Sequence, residues 1–425
     1  VKPPVYEPVP PYRARKRHTL PLSRRALAQN ILLVLIWPFL AAVVHIVNFP
    51  QRRLLMGFVA FCAFAGLVFI PMPGSDAYAY MLRFEAFRAG FFALRGEPVP
   101  VAIMSLVAWS GFGVRWYFAL VGLLYGLVVA TIARLLFQDI PRNAVLSFAA
   151  LVFLGAFFLN HPVFSAVNAR FHLALWIFVL ATMLMLDGRW KYALAVAAFG
   201  MGTHFGQTLF AVALVILLLS RWLGTWQILF AYAVLAVAVV LPPGVFVAIG
   251  DAATQIIGAG AFVDKVETHV GHAERLAAGD FVGRGMGGPW FLSWFTTPIF
   301  WSLLISSHFL FWKMRRERGD PLYQLFVLII LMWAAQFAMA GYFGGEERMQ
   351  RNTTALLVLW HARFFLVRKQ GAQLALLINA LPLLFYFVVA YRRWFHQAGL
   401  GAFFPTIFGA WPDLWPTVME FLGFS

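Results

Sequence analysis

Long apolar runs broken by short polar punctuation dominate the chain. A helix needs about 20 mainly apolar residues to cross the hydrocarbon core of a bilayer. Candidate runs lie at 30–47, 54–71, 116–137, 144–159, 171–186, 226–249, 290–312, 322–343, 353–367 and 374–391. The stretch 192–220 is too long for one span and is interrupted by Gly200, Gly202, His204 and Gly206. It predicts two short helices meeting at a polar elbow, which at membrane depth must line a cavity or be buried in protein. The pattern predicts an all-α, polytopic integral membrane protein with roughly 11–12 transmembrane helices. The first run is followed by Arg52 and Arg53, not by a small-residue cleavage site, so it does not read as a cleaved signal peptide. Neither a soluble domain nor a short internal repeat is visible.

Composition agrees with this picture. Of 425 residues, 62% are hydrophobic and only 12% are charged. A soluble domain is about 45–50% apolar and about one quarter charged. An ordinary soluble enzyme, a disordered chain and a disulfide scaffold are thereby excluded. The lone cysteine, Cys62, cannot form an intrachain disulfide. The net charge of +16 would suggest nucleic acid in a soluble protein. In a chain this apolar, the excess of Lys and Arg in cytoplasmic loops explains it better, and no nucleic-acid partner is expected.

Charge also predicts the orientation. Arg189 and Lys191, Arg221, the 313–318 cluster, and Arg368 with Lys369 alternate correctly with the spans if all face the cytoplasm. The segments 72–115, 250–289 and 344–352 then face outward and hold ten of the 17 acidic residues, among them Asp76, Glu85, Glu97, Glu346 and Glu347. Residues 1–29 form a basic cytoplasmic tail, 30–400 a single transmembrane catalytic domain, and 401–425 a C-terminal interfacial segment. Both the tail and Arg52 with Arg53 are cytoplasmic only if 30–47 does not cross fully. Pro38 would break that run into a re-entrant or in-plane element.

Five polar segments stand out against the apolar background. Residues 73–80 read Pro-Gly-Ser-Asp-Ala-Tyr-Ala-Tyr and open an amphipathic surface helix with Tyr80, Phe84 and Phe87 on one face. Asp76 is either a helix N-cap or a catalytic carboxylate, and one residue can be both. A short helix over 99–109 follows Glu97 and Pro98. Residues 160–172 place Asn160, His161, Asn168, Arg170 and His172 near one membrane surface. The rigid fork of Arg170 suits a pyrophosphate or carboxylate, unless the side chain only snorkels to headgroups. His204 sits at the elbow, as a general base, as a hydrogen-bond donor to pyrophosphate, or as a structural histidine. Arg348 and Arg351 share a face if their turn is helical, as an anion clamp or as a solvated cluster with Glu346 and Glu347. In the 250–289 loop, His269, His272 and Glu267 could bind a metal in principle, but no third ligand has diagnostic spacing. A loop this long suggests a functional lid or an acceptor platform.

The order of these features resembles the EpsG-like membrane proteins, which belong with the Wzy-type O-antigen and exopolysaccharide polymerases. An outer-face Asp76 and Tyr78 follow an early span, then a short helix opened by Glu97-Pro98. A span opened by Asn-Ala-Arg-Phe-His-Leu-Ala at 168–174 comes next, then the turn Asp-Gly-Arg-Trp-Lys at 187–191. A helix ending in Gly-Thr-His at His204 and an outer loop with Glu346, Glu347 and Arg348 complete the pattern. The resemblance covers most of 54–360. The basic tail and the Trp- and Pro-rich C-terminus depart from it.

The resemblance implies a GT-C-like fold with outer-face juxtamembrane helices at 76–95 and 99–109. It implies a polymerase that joins polyprenyl-pyrophosphate-linked oligosaccharide repeats, such as those on undecaprenyl pyrophosphate, at the periplasmic face of the bacterial inner membrane. Arg170, Arg348 and Arg351 would neutralise the leaving pyrophosphate, and Asp76 or His204 would activate the acceptor hydroxyl. Tyr78, Asn168, His172, Glu346 and Glu347 would contact substrate. Arginines can do the work of a divalent cation, so neither metal nor another cofactor is expected. Membrane lipids and a chain-length regulator are the further partners considered. Two alternatives stay open. One is a GT-C glycosyltransferase that uses a polyprenyl-phosphate sugar; the other is a lipid-linked oligosaccharide transporter.

Overall fold

The computed structural model describes residues 24–49, 55–71, 73, 75–90, 97–141, 144–159, 162–241, 291–313, 320–339, 345–368 and 371–398. The tail before residue 24, Arg52 and Arg53, Asn160 and His161, the 250–289 loop with its histidines, and the segment 401–425 lie outside the described residues.

Among the described residues, every regular element is a helix. In chain order these are α1 Arg24–Ile36, α2 Pro38–Val47, α3 Met56–Leu67, α4 Asp76–Arg88, α5 Pro98–Trp109, α6 Val114–Phe137, α7 Phe148–Leu159 and α8 Val163–Asn168. There follow α9 Arg170–Leu186, α10 Trp190–Thr203, α11 Thr208–Leu219, α12 Gln227–Val240, α13 Phe291–Lys313, α14 Pro321–Ala338, α15 Gly345–Val367 and α16 Ala372–Ala398. The chain is an all-α polytopic membrane protein. Four described stretches are long and apolar enough to cross a membrane: Val114–Phe137, Phe148–Asn168 (running over the undescribed 160–161), Phe205–Gly224 and Pro321–Ala338. Shorter apolar helices, α2, α3, α9 and α12 among them, occupy further predicted runs, and α5 is the short helix predicted after Glu97 and Pro98.

Pro38 acts as the sequence predicts. It opens α2 directly after an extended Trp37, so the run 30–47 does not continue as one helix. The two pieces fold back on each other. Asn30 on α1 and His45 on α2 are 15 residues apart, yet His45 Nε2 lies 3.2 Å from Asn30 Oδ1. His45 Nδ1 accepts from the Gly57 backbone N–H at 2.7 Å, so its proton is on Nε2 and donates to Asn30.

Close backbone approach joins α3 to α6. A Cβ on Gly66 would lie 2.1 Å from the Phe118 carbonyl oxygen, and one on Gly122 would lie 2.1 Å from that of Cys62. Small residues are the means by which membrane helices bring their backbones together. Elsewhere, buried polar side chains pin the helices. His361 on α15 gives its Nδ1–H to the Leu357 carbonyl at 2.8 Å and meets Ser306 Oγ of α13 through Nε2 at 2.8 Å. Asn379 of α16 donates to the same Ser306 oxygen at 2.9 Å.

Described residues that flank the loops predicted to be cytoplasmic pair with one another at one end of the bundle. Gln138 donates to Asp187 Oδ1 at 2.8 Å, and Arg221 donates to the Met185 carbonyl at 3.1 Å. Arg368 reaches Asp320 at 3.4 Å. The other end carries α4, α5, the starts of α9 and α15, and the elbow.

Two expectations shift. Most of the outer loop predicted at 344–352 is the beginning of α15, which starts at Gly345 rather than near Thr353. Residues 163–168, left between the predicted runs 144–159 and 171–186, also form a helix, because Val163 through Val167 are buried and a buried backbone needs internal hydrogen bonds.

The α3–α6 contact makes a stability prediction. Gly122→Ala should lower the thermal midpoint of the purified protein, by overpacking worth about 1–3 kcal/mol or more. Gly155→Ala, whose new methyl would meet only Phe387 at 3.7 Å, should change it little.

Candidate active site

The site is built on two helix breaks that face each other. One is at Ala169, a single extended residue between α8 and α9 with φ −137° and ψ 121°. The other is at His204, an extended residue between α10 and a short 3-10 turn at Phe205–Gln207 that leads into α11, with φ −156° and ψ 112°. Neither break leaves its own amide unmet: the Ala169 N–H reaches Ser165 O at 2.9 Å and the His204 N–H reaches Gly200 O at 3.0 Å. The rings of Phe171 and His204 meet edge to face with centroids 5.8 Å apart. The elbow predicted at 192–220 is therefore present, and it abuts the Arg170 segment.

Arg170 is the first residue of α9. A helix N-terminus carries partial positive charge, so this guanidinium and the helix dipole both draw an anion. Within the protein that anion is Glu97, which sits at the N-cap position of α5 and forms an ion pair with Arg170 Nη1. The Glu97 side chain is 0% exposed and that of Arg170 is 19% exposed. The guanidinium also lies over the Tyr80 ring, 4.6 Å from its centroid. Arg170 is thus tucked inward and paired; it does not snorkel to the surface.

Behind this pair lies a cavity of about 10 Å³, lined by Tyr80, Tyr117, Arg170 and Thr203 with apolar walls from α5, α6 and α9. That is the room of about one water-sized group. Tyr80 Oη and Arg170 Nε are both buried without a hydrogen-bond partner. Burial pushes the Tyr80 phenol far above its ordinary pKa, against the opposing pull of Arg170. It stays a neutral O–H donor at physiological pH.

The other candidates surround this centre. Ser75, not Asp76, caps α4: its Oγ accepts from the Tyr78 N–H at 3.2 Å. Asp76 is exposed in the first turn, four residues before Tyr80, and its carboxylate is not used for capping. Tyr78 and Tyr80 differ in role, since Tyr80 is buried against Arg170 and Tyr78 is half-buried and does not line the cavity. Asn168 ends α8, and His172 is half-buried in the first turn of α9, its ring 5.4 Å from that of Phe171.

His204 Nδ1 accepts from the Gly206 backbone N–H at 2.9 Å. In the neutral ring the proton is then on Nε2, which leaves a donor rather than a basic lone pair on the far side. A Cβ on Gly206 would lie 2.6 Å from His204 Cε1, so a side chain there would displace the His204 ring.

Arg348 and Arg351 occupy the first turns of α15 three residues apart, on one helical face and half-buried. The side chains of Glu346 and Glu347 lie outside the described residues. Next to Arg351, Asn352 is fully buried and donates to Gln207 Oε1 at 2.7 Å, while Gln207 returns a longer bond at 3.4 Å. This amide pair ties the arginine-bearing helix to the elbow. Among the described residues, no group of three or more His, Cys, Asp or Glu side chains is arranged to hold a metal.

Residue patterns alone do not single out three participants: Glu97 as the partner of Arg170, Tyr80 as a polar group, and the Gln207–Asn352 pair. Glu97 reads in the sequence only as a helix opener, because 73 residues separate it from Arg170. Its position, Glu before Pro with a short apolar helix following, is the one local signal.

A model of the EpsG family matches residues 53–407. No curated protein and no solved structure matches the chain.

Removing one member of a buried ion pair leaves the other charge uncompensated, at a cost of about 3–5 kcal/mol. Glu97→Ala should therefore lower the thermal midpoint sharply. In a double-mutant cycle, Glu97→Ala with Arg170→Ala should be more stable than the sum of the two single losses.

Proposed function

Because the chain belongs to the EpsG family, we propose that it is a polysaccharide polymerase: a glycosyltransferase that joins polyprenyl-pyrophosphate-linked oligosaccharide repeats at the periplasmic face of the bacterial inner membrane. The observation that carries this reading is the placement of Arg170 at a helix N-terminus, beside the elbow to which the Arg348 and Arg351 helix is tied. A site of this kind suits a ligand that is both anionic and membrane-anchored.

The chemistry follows from the groups at hand. The acceptor sugar hydroxyl gives its proton to a base, and its oxygen bonds to the anomeric carbon of the growing chain. The bond from that carbon to the pyrophosphate oxygen breaks, and the lipid pyrophosphate leaves with the electron pair. Arg170, Arg348 and Arg351 stabilise the charge that develops on the leaving group. We assign the base to Asp76, which is exposed and free of capping duty, and a donor role toward pyrophosphate to His204, whose Nδ1 is already engaged. Tyr78, Asn168, His172, Glu346 and Glu347 flank these groups as candidate substrate contacts. Three arginines supply the positive charge, so the proposed reaction needs no metal.

The test is incubation of purified protein with a synthetic polyprenyl-pyrophosphate repeat in the presence of EDTA. A ladder of products is expected. A single sugar added from a polyprenyl-phosphate donor would instead identify a one-step glycosyltransferase. Transport in proteoliposomes without turnover of either donor would identify a transporter.

Arg170→Ala and Arg348→Ala should abolish the ladder while the protein still inserts. Asp76→Asn should slow turnover by about 10²–10⁴-fold, the usual contribution of a general base. His204→Gln keeps an N–H donor and should retain most of the rate; equal losses in the two variants would reverse the assignment.

A further inference from the structure

Two polar atoms, on residues that line the cavity beside Arg170, are left over by everything described above. Tyr80 is 3% exposed, and its hydroxyl is buried with no hydrogen-bond partner. Arg170 Nε is buried in the same condition. Both residues line one cavity with room for about one oxygen-sized group. Two neighbouring polar groups are already committed, and a third polar residue, Tyr117, lines the same cavity. Arg170 Nη1 is held by Glu97, and the Thr203 hydroxyl donates to the Phe199 carbonyl at 2.9 Å. A buried hydroxyl with no partner costs stability, and phenylalanine would fill the same space without that cost. The two leftover groups are also of one kind: both are donors, and an acceptor is what they lack.

We propose that Tyr80 is a substrate-binding residue, whose phenol joins Arg170 Nε in receiving one acceptor oxygen of the lipid-linked substrate. The inference rests on the polymerase reading and adds to it a residue and a subsite. Glu97 is then a positioning residue. It grips one edge of the guanidinium while the Tyr80 ring supports its face, so that the Nε edge is directed at the cavity. The pairing also keeps the ligand-free site from holding an unpaired buried charge. The received oxygen has two sources with the same chemistry, a phosphoryl oxygen of the pyrophosphate or an oxygen of the sugar attached to it.

The experiment uses the full chain in detergent, wild type against Tyr80→Phe. The variant keeps the ring under Arg170 and removes only the hydroxyl. Thermal midpoints are measured without ligand, and affinities are measured for two probes: a polyprenyl pyrophosphate without sugar, and a synthetic polyprenyl-pyrophosphate-linked repeat. The midpoint of Tyr80→Phe should equal or exceed that of the wild type. Its affinity for the repeat should fall roughly 10- to 100-fold, as for one hydrogen bond to a charged acceptor. A matching loss for the sugar-free probe places the phosphoryl oxygen at Tyr80; a loss for the repeat alone places a sugar oxygen there. Unchanged affinity for both probes, or a midpoint several degrees lower without ligand, overturns the proposal. Wild-type protein that binds neither probe overturns the polymerase reading itself, a result distinct from equal binding by wild type and variant.

Discussion

A guanidinium inside a helical bundle has to be paired, and the pairing of Arg170 with Glu97 organises the site. Glu97 stands at the start of α5 and Arg170 at the start of α9, so one ion pair holds a short surface helix against the opening of a buried one. Tyr80 brings α4 into the same contact by lying under the guanidinium. The two surface helices are thereby fastened over the Ala169 break, and the cavity they enclose is a by-product of that fastening. A buried pair is a weak source of net stability, since desolvation offsets much of the attraction. Its use is geometric: it fixes where a cation sits and which edge it presents.

The second constraint is that a backbone in lipid must satisfy its own hydrogen bonds. Both helix interruptions obey it by lying against each other, half-buried, with one extended residue each and their own amides bonded. Two interruptions side by side expose helix N-termini that a continuous helix would hide. This is the same requirement that produces half-helices around substrates in other membrane proteins, where dipole ends face the ligand. In this chain the elbow is further anchored from α15 through Gln207 and Asn352, so the arginines of α15 and the histidine of the elbow are held in one frame.

Much of this is legible in the order of residues alone. The apolar runs, the break at Pro38, the elbow at His204, the short helix after Glu97 and the family resemblance all rest on local features: run length, proline geometry, glycine spacing and residue order. The capping of α4 is readable only in part, since Ser75 and Asp76 are both good caps and only the side-chain geometry chooses between them. The early start of α15 is hidden because its first turns are polar, and hydropathy marks where a helix is buried rather than where it begins.

The membrane character, the all-helical class, the breaks at Pro38 and His204 and the identity of the charged residues follow from the chain's local pattern, because each depends on neighbours a few positions apart. Which charges meet is instead set by packing. Glu97 and Arg170, Tyr80 and the guanidinium, Gln207 and Asn352 are pairs from distant parts of the chain. Their union depends on how the surface helices, the elbow and α15 pack over the bundle end. The tautomer of His204 is set locally, by the backbone N–H of Gly206 two residues on, but only the geometry of the turn shows it.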